Sequence, residues 1–264
     1  MTAAFLSVLA ALSFSGAFIA GIIGVGGAIV MIPLLLYGPP LLGVGQLDVK
    51  TVAAMTMVQV FVAALSGFIA HRRGRAVRRD LAVLGGLATA AGSLTGAVAS
   101  KYVDDRLILF VFGLMALAAL ALLVVPTDTI DHPIVADQLQ FSWGKALLVC
   151  AAVGTAAGLV GAGGAFLLVP LLMVVVGLPI RITIGSSLAI TALAATAGVA
   201  GKMVTGQVPL APSLAVVLGA VPGAQLGAVL SRRLSPAGLK RVLFIVVMGS
   251  AVRVWWDLLG RLRE

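Results

Sequence analysis

Two short glycine-rich stretches hold the residues of this chain best suited to chemistry. Ala20-Gly-Ile-Ile-Gly-Val-Gly-Gly-Ala28 returns as Ala157-Gly-Leu-Val-Gly-Ala-Gly-Gly-Ala165, and Pro33-Leu-Leu35 returns as Pro170-Leu-Leu172. Each interior glycine weakens a helix by about 1 kcal/mol, and each proline removes a backbone donor. Both stretches are therefore expected to interrupt a helix. A half-helix that begins after such a break presents free N–H groups and the positive end of its dipole, which suits an anion. The candidate ligand positions are Gly24, Gly26 and Gly27 with Gly161, Gly163 and Gly164. A lone motif of this kind would more simply mean close helix packing. Its recurrence at corresponding positions is what favours a site.

Side chains able to hydrogen-bond an anion lie in other apolar stretches. Thr56, Gln59 and Ser66 occupy one, Ser186, Ser187, Thr191 and Thr196 another, and Gln225 a third. Hydroxyls and amides bind anionic oxygen without the cost of burying a charge. Their plainer use is bonding between helices, worth about 0.6 kcal/mol on average. Gln59 and Gln225, being larger, are the harder pair to explain that way.

Other chemistries find no foothold. Ile29 and Phe166 stand where a dinucleotide fingerprint needs its third glycine, and no lysine follows a glycine pair in the phosphate-loop pattern. His71 and His132 fall in connections without metal-ligand spacing. Cys150 is the only cysteine, so no intrachain disulfide or all-cysteine metal site can form, and a packing role is expected. No buried acid pair and no HExxH sequence points to an enzyme. Neither a cofactor nor a metal is expected.

The elements that must position these residues are dictated by hydropathy. Of 264 residues, 61% are hydrophobic and 10% charged, with a mean hydropathy of +1.18; soluble domains are nearer a quarter charged. No Asp, Glu, Lys, Arg or His precedes Asp48, and later charge-free runs cover 51–70, 81–100, 107–125, 146–180 and 182–201. About 20 apolar residues cross a bilayer as a helix. The fold class expected is all-α integral membrane, and the first and fifth runs are longer than one crossing needs. The apolar N-terminal run lacks a basic leader and continues past signal-peptide length, so it reads as part of the membrane domain. The net charge of +9 flanks the apolar runs, which marks topology and not nucleic acid. Trp143, Trp255 and Trp256 stand at run ends, where amphipathic rings favour the interface.

The repeat divides the chain into two homologous four-segment halves, 1–130 and 131–264, joined through a polar linker at about 126–144. Thr56 corresponds to Ser187, and Gly92 and Gly96 correspond to Gly223 and Gly227. These glycine pairs read most simply as close helix contacts. Arg72, Arg73, Arg75, Arg78 and Arg79 crowd the second connection of the first half. In the second half Arg232, Arg233, Lys240 and Arg241 crowd the third. Both basic loops reach the cytoplasm only if the long first segment of each half returns to its own side, as a re-entrant pair or a hairpin. The halves are then inverted-topology repeats with glycine-broken first segments. Ahead of the last segment this arrangement places 11 Lys and Arg inside and 4 outside, against 7 and 8 for simple crossing. The three C-terminal arginines fall on the other side.

With these motifs in hand, the chain resembles the TauE/SafE family of sulfite exporters. The resemblance rests on GIIGVGGAIVMIPLL at 21–35, GLVGAGGAFLLVPLL at 158–172, Ile184-Gly-Ser-Ser-Leu188, Ala70-His-Arg-Arg-Gly74 and the segment at 223–227. It covers essentially the whole chain. It implies transport of sulfite, thiosulfate, sulfoacetate, taurine-related sulfonates or other organic sulfur compounds. Ala54-Met-Thr-Met57 departs from the family's usual Gly-Thr-Ser-Leu, so Met55 replaces a hydroxyl. The first half is thereby expected to offer fewer donors than the second.

The expected function is a multi-pass inner-membrane transporter of a small sulfur-containing anion, working without a cofactor. The alternatives are an anion channel and a transporter of a non-sulfur organic anion. The expected partners are the substrate anion and the lipid bilayer, with proton or ion coupling and a homodimer both open.

Overall fold

A computed structural model of the chain describes residues 2–23, 27–71, 78–125, 141–231 and 236–261. The described residues are helical between short connections, with no strand among them. In chain order the helices are α1 (Ala3–Ile23), α2 (Ala28–Leu41), α3 (Val49–His71), α4 (Gly86–Ala99) and α5 (Asp105–Val124). There follow α6 (Trp143–Val160), α7 (Ala165–Val174), α8 (Ile180–Val204), α9 (Leu210–Ser231) and α10 (Pro236–Arg261). A π-helical turn, Leu81–Gly85, leads into α4, and the Thr89 hydroxyl donates to the Gly85 carbonyl at 2.6 Å. Among the described residues seven helical segments are long and apolar enough to cross a membrane, α4 being counted with its π-helical turn, whereas α2, α7 and the apolar stretch Val49–Leu65 of α3 are shorter.

The long first segment expected in each half is thus two helices. α1 and α2 double back on each other: Ala20 meets Gly27, Met31 meets Gly16 and Leu12 meets Gly38. α6 and α7 repeat the arrangement, with Ala157 against Gly164. Gly27 and Gly164, at φ +79° and +78°, open α2 and α7 in the left-handed region that only glycine enters freely. Among the described residues each half therefore has five α-helices where four segments were expected.

Prolines lie inside both short helices, Pro33 in α2 and Pro170 in α7. Pro33 cannot donate to the Ile29 carbonyl one turn back. The Ser250 hydroxyl on α10 donates to that carbonyl instead, at 2.8 Å. A serine far along the chain so compensates a break set by local sequence.

The most extensive packing joins α1 to α9 and α4 to α6. Glycine makes both approaches close enough for backbone to touch backbone. A Cβ on Gly223 would strike the Phe14 carbonyl oxygen, and one on Gly227 that of Phe18. Gly92 and Gly96 stand in the same relation to Ala151 and Thr155, and Gly21 and Gly158 to Ala224 and Ser93. Each contact in one pair has its repeat counterpart in the other. Both pairs run parallel, since rising numbers on one helix meet rising numbers on its partner. The glycine pairs read from the sequence as packing contacts are packing contacts.

α3 and α8 cross in the centre and pack on each other. Met55, Met57 and Val60 of α3 and Ile190, Ala194 and Ala195 of α8 are fully buried. Burial of apolar surface from water cannot drive such contacts in lipid; van der Waals fit and polar bonds must. Cys150 is buried and free, and a Cβ on Gly85 would meet its sulfur at 3.1 Å, as suits a packing residue.

Candidate functional site

The broken helices deliver their glycine caps to the middle of α3 and α8. A Cβ on Gly27 would lie 3.2 Å from the Gln59 amide nitrogen, and one on Gly163 would strike Val60 and approach Thr191 at 3.5 Å. Gly161, at φ +82°, packs on the Ala53 carbonyl. Gly163 adopts φ +62°. The first N–H groups of α2 and α7 have no acceptor within their own helices.

Around these caps, buried polar side chains lack partners. Thr56 Oγ1, Thr191 Oγ1 and both amide atoms of Gln59 are fully buried without a hydrogen bond. Buried polar groups are nearly always bonded, and leaving one unpaired costs about 1–3 kcal/mol. Three such side chains lie on the packed pair α3 and α8, free to serve as hydrogen-bond donors and acceptors for a guest. Neutral threonine and glutamine can fill that role for an oxyanion without a buried fixed charge.

The sequence-derived residues divide accordingly. Gly27 meets Gln59, Gly163 meets Val60 and Thr191, a polar residue of the same α8 run, and Thr56 lies three residues before Gln59 on α3. Ser187 is buried on α8, at the position corresponding to Thr56 in the repeat. Ser186 is buried too, but its hydroxyl accepts the backbone N–H of Arg78 at 3.1 Å. Gly161 and Gly164 shape the α6–α7 break without reaching the unpartnered groups: Gly164 faces Val153 and Ala157. Gln225 corrects the expectation, for it is exposed on α9. The neighbouring Gly223 and Gly227 turn inward onto α1, which directs Gln225 to the outer face. Gly24 and Gly26 lie outside the described residues, as do the basic stretches 72–77 and 232–235. Met55, standing for a hydroxyl, is fully buried.

Three features escaped the sequence reading. Arg78, taken as one of a loop's arginines, is buried, with its guanidinium 4.7 Å from the Phe141 ring centre and 5.9 Å from that of Trp143. Lys202 belongs to the last turn of α8 and is wholly buried. Arg253 lies 4.1 Å over the ring of Tyr37, whose hydroxyl donates to Asp257 at 3.3 Å. Only Lys202 left a trace in sequence, as the one charge in an otherwise uncharged connection. No group of three or more His, Cys, Asp or Glu that could hold a metal occurs among the described residues.

A bundle of apolar helices, seven of them long enough among the described residues to cross a bilayer, defines a multi-pass membrane protein. Residues 8–254 match the family described as sulfite exporter TauE/SafE, and the chain belongs to that family. A probable membrane transporter protein of Xylella fastidiosa strain Temecula1 is 30% identical over 251 residues, covering 90% of each chain. Its counterpart in strain 9a5c is 28% identical, again over 90% of each chain. The probable membrane transporter protein YunE of Bacillus subtilis is 26% identical, over 91% of this chain and 94% of its own. No solved structure matches. The protein is a membrane transporter of the TauE/SafE family.

Proposed function

We propose that this transporter carries small sulfur-containing anions such as sulfite, thiosulfate or short organosulfonates across the inner membrane. The observation that carries the reading is the unpartnered trio Thr56, Gln59 and Thr191, with Gln59 beside Gly27, the cap of α2, and Thr191 beside Gly163, which precedes the cap of α7. A sulfur oxyanion offers several acceptor oxygens to hydroxyls, amide N–H groups and helix N-termini. A quaternary ammonium offers none.

The halves 1–130 and 131–264 work as inverted repeats in this reading. In support, α1 runs parallel to α9 and α4 parallel to α6, while Lys202 at the end of α8 bonds Ser100 at the end of α4. The α1–α2 hairpin then enters from the Lys202 face and the α6–α7 hairpin from the opposite one. Rocking of one half against the other would expose the central site alternately, as in other inverted-repeat transporters. The face opposite Lys202 is assigned to the cytoplasm, because it receives both basic connections.

The test is thermal stability of the purified protein in sulfite, thiosulfate, ethanesulfonate and choline, followed by uptake of any stabilising anion into proteoliposomes. The expected result is stabilisation by at least one sulfur anion, with saturable uptake and counterflow. Stabilisation by choline alone would refute the proposal, and unsaturable flux without counterflow would mean a channel.

A further inference from the structure

One cation of this membrane domain is buried without a counter-charge. Lys202 is 0% exposed, and its ammonium makes one hydrogen bond, to Ser100 Oγ at 2.8 Å. Ser100 is itself fully buried and lies within reach of the Ala97 carbonyl and of Gln207 Oε1, at 2.7 and 3.0 Å. The Gln207 amide nitrogen donates to the Ala97 carbonyl and to the Thr205 hydroxyl. No carboxylate pairs with Lys202 among the described residues. The Asp48 carboxylate is taken by the Thr51 N–H. The adjacent charge is of like sign, Lys50, whose ammonium donates to the Lys101 carbonyl.

An ammonium has three donors, so two of the Lys202 N–H groups are unused. Withdrawing such a group from water costs several kcal/mol unless a partner of opposite charge replaces the solvent. A second lysine nearby deepens the deficit. An anion drawn to the site would supply the missing counter-charge and use the free N–H groups.

Lys202 also stands in line with the central site. Thr191, Gly198 and Lys202 are seven and four residues apart on α8, which puts them on one helical face. At the level of Gly198 the Ser93 hydroxyl of α4 is buried and unpartnered, and a Cβ on Gly198 would lie 2.7 Å from it. The rise from Thr191 to Lys202 is about 16 Å at 1.5 Å per residue. Polar groups thus line one face of α8 from its middle to its end, with the buried Met57 side chain packed against Gly198 between them.

We propose that Lys202, with Ser100, is a second anion station at the non-cytoplasmic mouth, reached from the central site along the α8 face past Ser93 and Gly198. The proposal rests on the anion-transport reading and adds to it the residue that recognises charge. In the closed arrangement described, the bonds among Lys202, Ser100 and Gln207 tie α8 to α4. An arriving oxyanion takes the two free N–H groups, offsets the charge and loosens that tie. Charge selection then occurs at the mouth, and the uncharged centre holds an ion already selected.

The experiment compares wild type with Lys202→Gln, Lys202→Arg, Ser100→Asp and Ser100→Asn in the same panel of sulfite, thiosulfate and ethanesulfonate. Lys202→Gln should weaken the response to the stabilising anion at least tenfold, and Lys202→Arg should largely retain it. Ser100→Asp builds in a counter-ion: the protein should melt at a higher temperature and cease to respond, whereas Ser100→Asn should still respond. A lysine with a purely structural role would also gain stability from Ser100→Asp but would keep the anion response. That result overturns the station. Should Lys202→Gln fail to fold, the two Ser100 variants decide alone. A wild type that responds to no panel anion refutes the transport reading itself, whereas a responsive wild type matched by a responsive Ser100→Asp refutes only the station.

Discussion

Replacing Gln59 by methionine should make this protein more stable and less functional. Both amide atoms of Gln59 are buried without partners, close to the cap of α2 at Gly27. Burial of an unbonded amide costs about 1–3 kcal/mol by mutational measures. Methionine keeps the length and flexibility of glutamine without its polar atoms. Gln59→Met should therefore raise the unfolding free energy by about 1–3 kcal/mol, read as a melting temperature several degrees higher in detergent. The same substitution removes an amide donor from the anion. Hydrogen bonds to charged groups contribute about 1.5–3 kcal/mol, which corresponds to about 10- to 150-fold in affinity. The assay is paired: melting without ligand, and the midpoint of anion stabilisation or of counterflow. A variant that melts lower than wild type while binding the anion unchanged would show that Gln59 is a structural residue, and the argument from unpartnered groups would fail with it.

The remaining predictions address the break, its compensation and the topology. Gly163→Ala forces a side chain into left-handed backbone, at about 1–2 kcal/mol, and against Val60, at about 1–3 kcal/mol; a destabilisation of about 2–5 kcal/mol with loss of transport is expected, and unchanged melting would contradict it. Ser250→Ala should cost about 1–3 kcal/mol by stranding the Ile29 carbonyl. In a Pro33→Ala background, where the backbone donor returns, that cost should disappear; persistence would show that Ser250 acts otherwise. In a Cys150→Ser background, single cysteines placed in 72–79 and in 232–241 should both resist an impermeant maleimide in intact cells; labelling of just one would end the inverted arrangement.

Sequence alone determined the solvent, the helical class, the repeat and where the helices break, because these depend on local composition. Apolar runs must be helical in lipid to satisfy their own backbone, and clustered glycines such as those that end at Gly27 weaken a helix whatever surrounds them. Thr56, Gln59 and the glycine signatures could be singled out since polar or helix-breaking residues are costly in such runs. Which of them meet was not legible, because facing depends on how helices pack. Gln225 and Gly223 are two residues apart on α9, yet one is exposed and the other pressed to α1. Ser186 and Ser187 are adjacent, and only the packing of Arg78 gives Ser186 its partner. Lys202 looked like a loop cation by its place in the charge pattern. Only the extension of α8 past it, and the approach of α4 with Ser100, made it a buried charge. A cation's cost is set by what surrounds it, and its surroundings come from residues about a hundred positions away.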